Sequence, residues 1–374
     1  MNFTGPVVLS VVVPVRDDAR CLERTLDVLE ASDLPREEWE LIVVDDASTD
    51  DSAAIAARHA DTMVRLRDEA RGPAYARNRG IEVAHGEFVA FVDADVHVAP
   101  STLRAMLESL RAAPDVAAVS AVYDAGPATG GIVTGYRNLL LHHLQQASRG
   151  AQLFSSACAT VRREALLRSG MFDEWRFPRP QVEDLELGHR LRVLGYRLQL
   201  RTDLQVTHLK RWTLAGAVAS DVRDRAIPWM RVLGRRVADA GHGVLPLTTA
   251  TPARTVGLSA MVALAVAGAA TRDVRLLGGA AAFCAVALAA NAPLLARMAR
   301  ARGVLFAIAA APLHLLFELV NGFALAAGWF IHHLLGDPRP HPTIEAFAEV
   351  GVSTWPPVPA RRSTEAPPLG VPRN

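Results

Sequence analysis

The sequence predicts an α/β domain with a mostly parallel sheet, followed by an α-helical membrane domain. Two observations support this fold class. Apolar runs typical of buried strands alternate with amphipathic helical patterns up to about Trp212, and the carboxyl-terminal third contains long uncharged segments. Strands that alternate with helices favour a parallel sheet covered by those helices, and uncharged segments of about 20 residues can cross a bilayer.

The first three elements establish the alternation. Val8–Val13 is an apolar run that predicts a strand, and Arg16–Glu30 carries leucines three or four residues apart, as on one face of a helix. Glu40–Val44 predicts a second strand, which is followed directly by Asp45 and Asp46. Ligands of open α/β sheets bind beyond the carboxyl ends of parallel strands, so we expect these acids at a binding crevice.

A second pair of acids follows the next predicted strand. The apolar run Gly86–Val92 ends in Asp93 and Asp95, with Ala94 between them. Carboxylates are ligands that Mg²⁺ and Mn²⁺ prefer, and a divalent ion can neutralise a departing phosphate. Paired acids after a strand are equally typical of a turn or a helix cap. Asp46 also has two interpretations: it is a helix cap, or it accepts a hydrogen bond from a nucleotide base.

A helix farther along the chain begins with acidic residues. Its first turn contains Asp184, its predicted buried stripe is Leu187, Leu191 and Leu194, and Gly195 is its stop signal. The amino terminus of a helix favours an ionised carboxylate, which leaves Asp184 available to accept a proton. The alternative is that this acid only complements the helix dipole.

Three apolar segments near the carboxyl end predict about three membrane spans. Thr255–Thr271 and Leu276–Ala296 carry no charge over 17 and 21 residues, and Gly303–Gly336 contains one acid, Glu318. Excess arginine favours the cytoplasmic side. The arginines before the first span and between the second and third therefore predict a cytoplasmic amino-terminal domain: Arg231, Arg235, Arg236, Arg254, Arg297, Arg300 and Arg302.

Between the α/β domain and the spans, an amphipathic segment predicts helices in the headgroup region, with Trp229 at the interface and a break at Pro228. The proline-rich tail has no periodic apolar pattern, which predicts an extended or disordered chain. The predicted boundaries are 1–212 for the α/β domain, 213–254 for the interfacial linker, 255–336 for the spans and 337–374 for the tail.

Composition excludes several other classes of protein. The 40 basic and 39 acidic residues give a formal charge of +1, so the basic excess of a nucleic-acid-binding protein is missing. The three cysteines, Cys21, Cys158 and Cys284, are far apart and form no Cys-x-x-Cys pair. Their spacing suggests neither a zinc site nor a disulfide framework.

Four ordered motifs within Val8–Trp212 resemble those of family 2 glycosyltransferases, which are inverting enzymes of the GT-A fold. The acidic helix and the Arg190–Tyr196 segment after it add to the resemblance. The motifs are Val11–Asp17, Val43–Asp50, Gly72–Gly80 and the Asp93-Ala94-Asp95 strand end, with Gln181–Leu187 as the acidic helix. The resemblance implies a GT-A domain, a UDP- or GDP-sugar donor, Mg²⁺ or Mn²⁺, and inversion at the anomeric carbon.

The resemblance also implies a role for individual residues. Asp184 is the candidate catalytic base, and Glu183 beside it is predicted to orient a neighbouring group or bind acceptor. Asp95 and His208 are the candidate metal ligands, although a lone histidine is often structural. The candidate nucleotide-sugar-binding residues are Pro14, Asp46, Arg77, Asp93 and Lys210.

A membrane domain on the same chain predicts a lipid-linked acceptor, whose reacting group is a hydroxyl or a phosphate, and a location in the cell (inner) membrane. Processive members of the family usually carry a Gln-x-x-Arg-Trp motif, whereas this chain has Arg225-Ala-Ile-Pro-Trp229. We therefore expect transfer of a single sugar. A processive polysaccharide synthase and a catalytically inactive membrane scaffold are the alternatives.

Overall fold

A computed structural model of the protein describes residues 7–66, 69–126, 130–230 and 250–335. Its contacts divide the chain into two compact units. The first contains Met1–Tyr123 and Ser148–Leu209, and the second contains Asp124–Ala147 and the helices that follow Lys210. The segment 124–147 thus groups with the carboxyl-terminal helices, although it precedes residue 212 in the chain. The predicted domain boundaries stay a prediction.

Strands and helices alternate along the first part of the chain. All of the elements up to β8 belong to the first unit except α5, which belongs to the second. They are β1 Leu9–Val15, α1 Ala19–Glu30, β2 Trp39–Asp46, α2 Ser52–His59, β3 Thr62–Leu66, α3 Pro73–Val83, β4 Phe88–Val92, β5 Val96–His97, α4 Thr102–Ala112, β6 Val116–Tyr123, α5 Gly131–Ala147, β7 Cys158–Arg162, α6 Arg163–Arg168, α7 Glu183–Val193 and β8 Arg197–His208.

The strands form one eight-stranded mixed sheet in the order β3-β2-β1-β4-β7-β6-β8-β5. The neighbours from β3 to β4 pair in parallel, and so do β6 and β8. β7 is antiparallel to both β4 and β6, and the short β5 is antiparallel to β8. The predicted α/β fold with a mostly parallel sheet is therefore confirmed, while the two antiparallel strands were not predicted.

Both faces of the sheet are covered by apolar side chains. Val11 and Val13 of β1 belong to one core cluster and Val12 to the other, because successive side chains of a strand point to opposite faces. Leu22 and Leu26 of α1 are completely buried in the first cluster, as their spacing predicts. This double burial explains why the strands are almost continuously apolar in sequence.

A buried polar contact holds β4 beside β1. The Ser10 hydroxyl donates to Glu40 Oε1 at 2.6 Å and accepts from the Gly86 amide at 2.8 Å. A Cβ on Gly86 would lie 2.7 Å from the Ser10 nitrogen, so the two backbones are too close for any side chain there. The start of β4, and with it the position of Asp93 at its end, is fixed by this contact.

One side chain of the predicted helical stripe lies outside the core. Leu187 and Leu191 of α7 are completely buried, but Leu194 is 41% exposed. The helix ends at Val193, and Gly195 takes a φ of +84°, so Leu194 already belongs to the turn that leaves the helix. The prediction was wrong for Leu194 because helical periodicity was extended past the end of the helix.

The second unit is helical in its described part. It contains α5, α8 Leu214–Ala219, a π-helical turn Ser220–Ala226 that continues as helix through residues 227–230, α9 Ala250–Thr271, α10 Val274–Ala290, α11 Ala292–Arg302 and α12 Val304–Leu335. The predicted break at Pro228 is wrong. The wide π turn before it, in which the Ile227 amide bonds to the Val222 carbonyl, leaves room for a residue without an N–H group. Trp229 is 7% exposed.

Among the residues that the structure describes, two helices are long and apolar enough to cross a membrane, Ala253–Thr271 and Val304–Leu335. α10 and α11 meet the same criterion only as a pair bent by 67°. The predicted second span, Leu276–Ala296, therefore contains a bend, because the chain leaves α10 at Asn291 and Pro293 cannot continue its hydrogen-bond ladder. The rest of the predicted linker, 231–249, and the tail 337–374 lie outside the described residues.

Candidate active site

Arg77 connects two acidic segments that are far apart in sequence. Its Nη2 donates to Asp93 Oδ1 at 2.7 Å, and its Nη1 donates to Glu183 Oε1 at 2.9 Å. The residue is 3% exposed. Burial lowers the pKa of Arg77, but the charges of Asp93 and Glu183 outweigh burial, so the pKa is raised and the side chain stays a guanidinium. Arg77 thus holds the end of β4 beside the start of α7.

Ser156 and Ala157, the two residues before β7, also hold the end of β4 and the start of α7. The Asp93 amide donates to the Ala157 carbonyl at 3.0 Å. The Ser156 amide donates to Asp184 Oδ2 at 3.3 Å, and the Leu185 amide donates to Asp184 Oδ1 at 2.7 Å. Each carboxylate oxygen of Asp184 therefore accepts one backbone amide, which fixes the orientation of the carboxylate.

The environment of Asp184 changes its acidity. Burial, followed by the charge of Glu183, raises the pKa of Asp184 to about 7, although Arg77 and the two amides act in the opposite direction. The amides at the helix amino terminus favour the ionised form, as the sequence predicts, but burial outweighs them. A carboxylate with a pKa near the working pH is an effective general base.

The carboxylate of Asp93 is only partly enclosed. Its side chain is 29% exposed, and burial raises its pKa while Arg77 lowers it. Because Oδ1 is bonded to Arg77, the open part of this carboxylate is available to a ligand at the carboxyl end of β4. The structure thus places Asp93 where the sequence predicts a ligand-binding residue.

Asp95, two residues after Asp93, lies beside His208 at the end of β8. Asp95 Oδ2 is 3.4 Å from His208 Nε2. Pairing of Val96 with His208 in the sheet and a 2.8 Å hydrogen bond from the Leu209 amide to the Asp95 carbonyl hold the backbones in place. The ring of Tyr123 stacks on His208 with centroids 4.7 Å apart.

This pair of atoms fits a divalent ion. Neighbouring ligands of an octahedral ion with bonds of about 2.1 Å lie roughly 3 Å apart, which is close to the 3.4 Å between Asp95 Oδ2 and His208 Nε2. One carboxylate and one imidazole suit Mn²⁺ better than Mg²⁺, which prefers oxygen. Phosphate oxygens of a donor would supply the remaining ligands.

Two predicted nucleotide-binding residues are buried in the scaffold. Pro14 is buried in β1 opposite Val44 of β2. Asp46 is 3% exposed and accepts the amides of Arg71 and Gly72, one on each oxygen, at 2.8 and 2.7 Å. Asp46 therefore does not cap the helix that follows it, but anchors the loop leading into α3. Recognition of a base by Asp46 remains a prediction.

Lys210 belongs to the second unit, so it is described within that unit alone. Its Nζ lies 4.6 Å from the centroid of the Trp212 ring, a cation–π contact. Its predicted role at the diphosphate remains a prediction.

Sequence reasoning missed a clamp centred on Asn78. Its side chain accepts from the Phe172 amide at 3.0 Å and donates to the Phe172 carbonyl at 2.9 Å and to Glu174 Oε2 at 2.7 Å. This clamp ties the loop before α7 to α3, beside Arg77. An asparagine in the middle of a helix was the available signal, because this residue is unfavourable there unless its side chain has another role.

Comparison with known proteins identifies the domain that contains these residues. Residues 10–170 match the sequence model of the family described as "Glycosyl transferase family 2". The chain carries a family 2 glycosyltransferase domain. The predicted resemblance to this family is confirmed for these residues, and the matched region includes Asp46, Arg77, Asp93 and Asp95 but ends before Asp184.

Curated relatives match over short regions. Poly(ribitol-phosphate) beta-N-acetylglucosaminyltransferase TarS of Staphylococcus aureus is 34% identical over 99 residues, which are 25% of this chain and 17% of TarS. The uncharacterized glycosyltransferase YibD of Escherichia coli is 40% identical over 117 residues, 29% of this chain and 31% of YibD. The chain thus matches less than a third of the length of either relative.

A solved structure matches most of the fold. Mannosyltransferase PcManGT from Pyrobaculum calidifontis, determined in complex with GDP-Man and Mn²⁺, has a TM-score of 0.56 and 24% sequence identity. The match covers 87% of this chain and 88% of PcManGT. It confirms the GT-A-like fold.

Proposed function

We propose that this protein transfers one sugar from a UDP- or GDP-sugar donor to a lipid-linked acceptor, with inversion at the anomeric carbon. The bridge from Asp93 through Arg77 to Glu183 carries this proposal, because it brings the candidate donor segment and the candidate base together in one unit. The donor in the PcManGT complex and the activity in the name of TarS support a nucleotide-sugar substrate.

Asp184 is the base in this proposal. The acceptor oxygen attacks the anomeric carbon opposite the leaving nucleotide, the bond to the diphosphate breaks, and the hydroxyl proton passes to Asp184. Its raised pKa, about 7, makes it a useful base for a hydroxyl acceptor. An acceptor phosphate is already ionised at this pH and needs no base, so a base at this position favours a hydroxyl over a phosphate.

Arg77 and Glu183 position the reacting groups. Glu183 accepts the Gln181 amide on Oε2 at 2.8 Å and Arg77 on Oε1, so both of its oxygens are held inside the protein. In this proposal Arg77 acts through Asp93 and Glu183 and does not contact the nucleobase of the donor. This positioning role replaces the nucleotide-binding role that the resemblance implies for Arg77. Asp93 offers its open oxygen to the donor.

Asp95 and His208 would hold Mn²⁺ or Mg²⁺. When bound there, the ion supplies positive charge for the departing diphosphate. Mn²⁺ in the PcManGT complex and the mixed oxygen and nitrogen ligands here support manganese.

The membrane part of the proposal is a location in the cell membrane with a cytoplasmic catalytic domain. Helices long enough to span a bilayer on the same chain support a membrane-bound acceptor. The arginine excess before the first span and between the last two supports the orientation.

The test uses the full chain in detergent with extracted cell lipids and a panel of UDP- and GDP-sugars, with EDTA or with added Mn²⁺. We expect one donor to give a lipid product that carries one added sugar, and EDTA to abolish its formation. Asp184→Asn and Asp95→Asn should each lower turnover at least a hundredfold, consistent with the loss of a general base or a metal ligand. Asp203→Asn, at an exposed acid of β8, is the matched control and should retain turnover.

Three results would contradict the proposal. Full turnover by Asp184→Asn would remove the assigned base, and no product with any donor would favour the inactive scaffold. Products with several added sugars would favour a processive synthase.

A further inference from the structure

A polar ring joins three helices of the second unit. Glu318 of α12 accepts from Arg254 Nη1 of α9 at 3.1 Å and from Asn291 Nδ2, at the end of α10, also at 3.1 Å. We call these three residues the polar ring. The Arg254 side chain is 43% exposed. An exposed charge is costly in the hydrocarbon core of a bilayer, so the ring belongs near a membrane surface.

The helices are in close contact just beyond the ring. A Cβ on Gly322 would overlap the side chain of Thr255, so α9 and α12 cross with almost no space between them. Small residues at such crossings are typical of packed membrane helices. The ring and this crossing fix one common level on α9 and α12.

Three helical segments of equal length extend from this level to the far side. They comprise residues 255–271, 274–290 and 319–335, each of 17 residues. At 1.5 Å per residue they are ~25 Å long, and 17 residues is the lower limit for a membrane span. The far turn between α9 and α10 is polar again, with Arg272 and Asp273, whose carboxylate accepts the Arg275 amide at 2.8 Å.

The remaining part of α12 lies on the opposite side of the ring. The helix has 32 residues, or ~48 Å, which is longer than one crossing needs. Residues 304–317 therefore extend beyond the ring, where Ala307 and Ala310 share a core with Tyr136 of α5 and with Leu294 and Met298 of α11.

The outer surface of α11 and residues 304–317 is apolar and basic. Val304, Leu305 and Ile308 are 65%, 83% and 63% exposed. Arg297 and Arg300 of α11 are also exposed, and no acid occurs between Asp273 and Glu318. We call these five exposed residues the basic apolar surface. An apolar helix face beside arginines is typical of segments in the interface of an anionic membrane.

We infer that the polar ring marks one boundary of the hydrocarbon core, and that the basic apolar surface lies in the headgroup layer and binds anionic phospholipids. The continuity of this surface with the three spans and its positive charge select lipid as the occupant. The inference rests on the membrane anchoring in the proposed function, but it requires neither a donor sugar nor turnover.

Depth measurements on the full chain in nanodiscs test the boundary. A nitroxide is attached to Ile308→Cys, to Phe323→Cys beyond the ring, or to Val193→Cys at the exposed end of α7, after Cys21 and Cys284 are replaced by serine. Collision with oxygen and with a water-soluble nickel chelate then reports depth. We expect the oxygen-to-nickel ratio to be highest for Phe323→Cys, lowest for Val193→Cys and between the two for Ile308→Cys.

Lipid composition tests the charge. Changing phosphatidylcholine to phosphatidylglycerol should raise the ratio for the Ile308→Cys label, and this rise should disappear in Arg297→Gln/Arg300→Gln. Arg275→Gln, at the far turn, is the matched control and should keep the rise.

Several outcomes would overturn the inference. An Ile308→Cys label as water-accessible as the Val193→Cys label would show that the basic apolar surface lies outside the membrane. An Ile308→Cys label as deep as the Phe323→Cys label would show that the hydrocarbon boundary lies beyond the polar ring. Equal oxygen-to-nickel ratios for the Ile308→Cys label in the two lipids would show that the basic apolar surface does not bind anionic phospholipids. A water-accessible Phe323→Cys label would show that the anchoring itself has failed, whereas loss of transfer activity with these depths intact would contradict only the proposed enzyme function.

Discussion

Neighbouring groups give two aspartates of the first unit, one in the candidate active site and one outside it, different properties. Asp184 is enclosed beside Glu183, and its pKa rises to about 7. Asp203 is 62% exposed and paired with Arg201, and its pKa falls to about 2. The side-chain chemistry is identical, so burial and local charge decide which aspartate can accept a proton near neutral pH.

The raised pKa predicts a pH profile for sugar transfer to a hydroxyl. Asp184 acts as a base only when it is ionised, so turnover should fall about tenfold for each pH unit below about 7 and level off above it. Initial rates from pH 5 to 9 at saturating donor would measure this. Asp203→Asn should leave the profile unchanged. A flat profile for the native chain would contradict the assignment of the base.

The same shift predicts a pH-dependent effect on stability. Because the folded-state pKa of Asp184 lies above its ordinary value of 3.8, its ionisation destabilises the fold as the pH rises toward 7. Asp184→Asn should therefore be stabilising by roughly 1–4 kcal/mol at pH 8 and lose this advantage near pH 4. Urea titrations at both pH values would measure the difference. A constant difference at both pH values would argue against the raised pKa.

Removal of Arg77 should be strongly destabilising. Arg77→Met leaves Asp93 and Glu183 without their shared cation, and breaking a buried ion pair in this way costs about 3–5 kcal/mol. Arg58→Met is the control, because Arg58 and Glu23 are more than half exposed, and such pairs contribute under about 1 kcal/mol. Urea unfolding of each variant gives the comparison. Equal losses in the two variants would show that the bridge has no special weight.

At the scale of elements, α7 depends on its contact with the segment before β7. Gly188 lies one turn after Asp184, and a Cβ there would be 2.7 Å from the Cβ of Phe154. The absence of a side chain lets the helix approach Phe154 closely. The position of the proposed base, Asp184, is therefore set partly by a glycine that has no chemistry of its own.

Gly188→Ala should move α7 and weaken catalysis. We expect a loss of 1–3 kcal/mol in stability, as for other overpacked cores, together with a fall in kcat larger than any change in donor KM. Gly278→Ala in α10, where nothing lies within 4 Å, is the control and should be neutral or stabilising by up to about 1 kcal/mol. Steady-state kinetics with unfolding curves would measure both effects. Unchanged kcat in Gly188→Ala would contradict the role of this contact.

At the scale of the whole molecule, interleaved parts of the chain form two units whose surfaces differ in polarity. The first has a sheet covered on both faces, and the second has apolar helices with an exposed apolar surface. Urea unfolds a domain by solvating its surface, whereas helices in a detergent micelle keep their backbone hydrogen bonds away from water.

Urea should therefore unfold the full chain in detergent in two steps. We expect the first to remove the sheet signal and the second to remove part of the helical signal at higher urea. Far-ultraviolet circular dichroism follows both steps. Arg77→Met should shift only the first step, because its partners lie in the first unit. One cooperative transition for all signals would contradict independent stability of the units.

The sequence alone determined the fold class, the family resemblance and the candidate acids at the strand ends. Apolar periodicity predicted strands and helices because burial imposes the period of each element, and the acids at the ends of β2 and β4 followed from the direction of parallel strands. The uncharged segments indicated membrane helices because hydrocarbon does not tolerate charge. These properties depend on neighbours in the sequence.

Only the tertiary structure decided the contacts between distant residues. The bridge by Arg77, the pKa of Asp184, the anchoring role of Asp46 and the polar ring around Glu318 each join parts of the chain that lie many residues apart. Distance and burial control electrostatic energy, and neither can be read from the order of residues. Local patterns therefore located the candidate site, while packing determined which of its acids has the raised pKa of a candidate base and which are held in place.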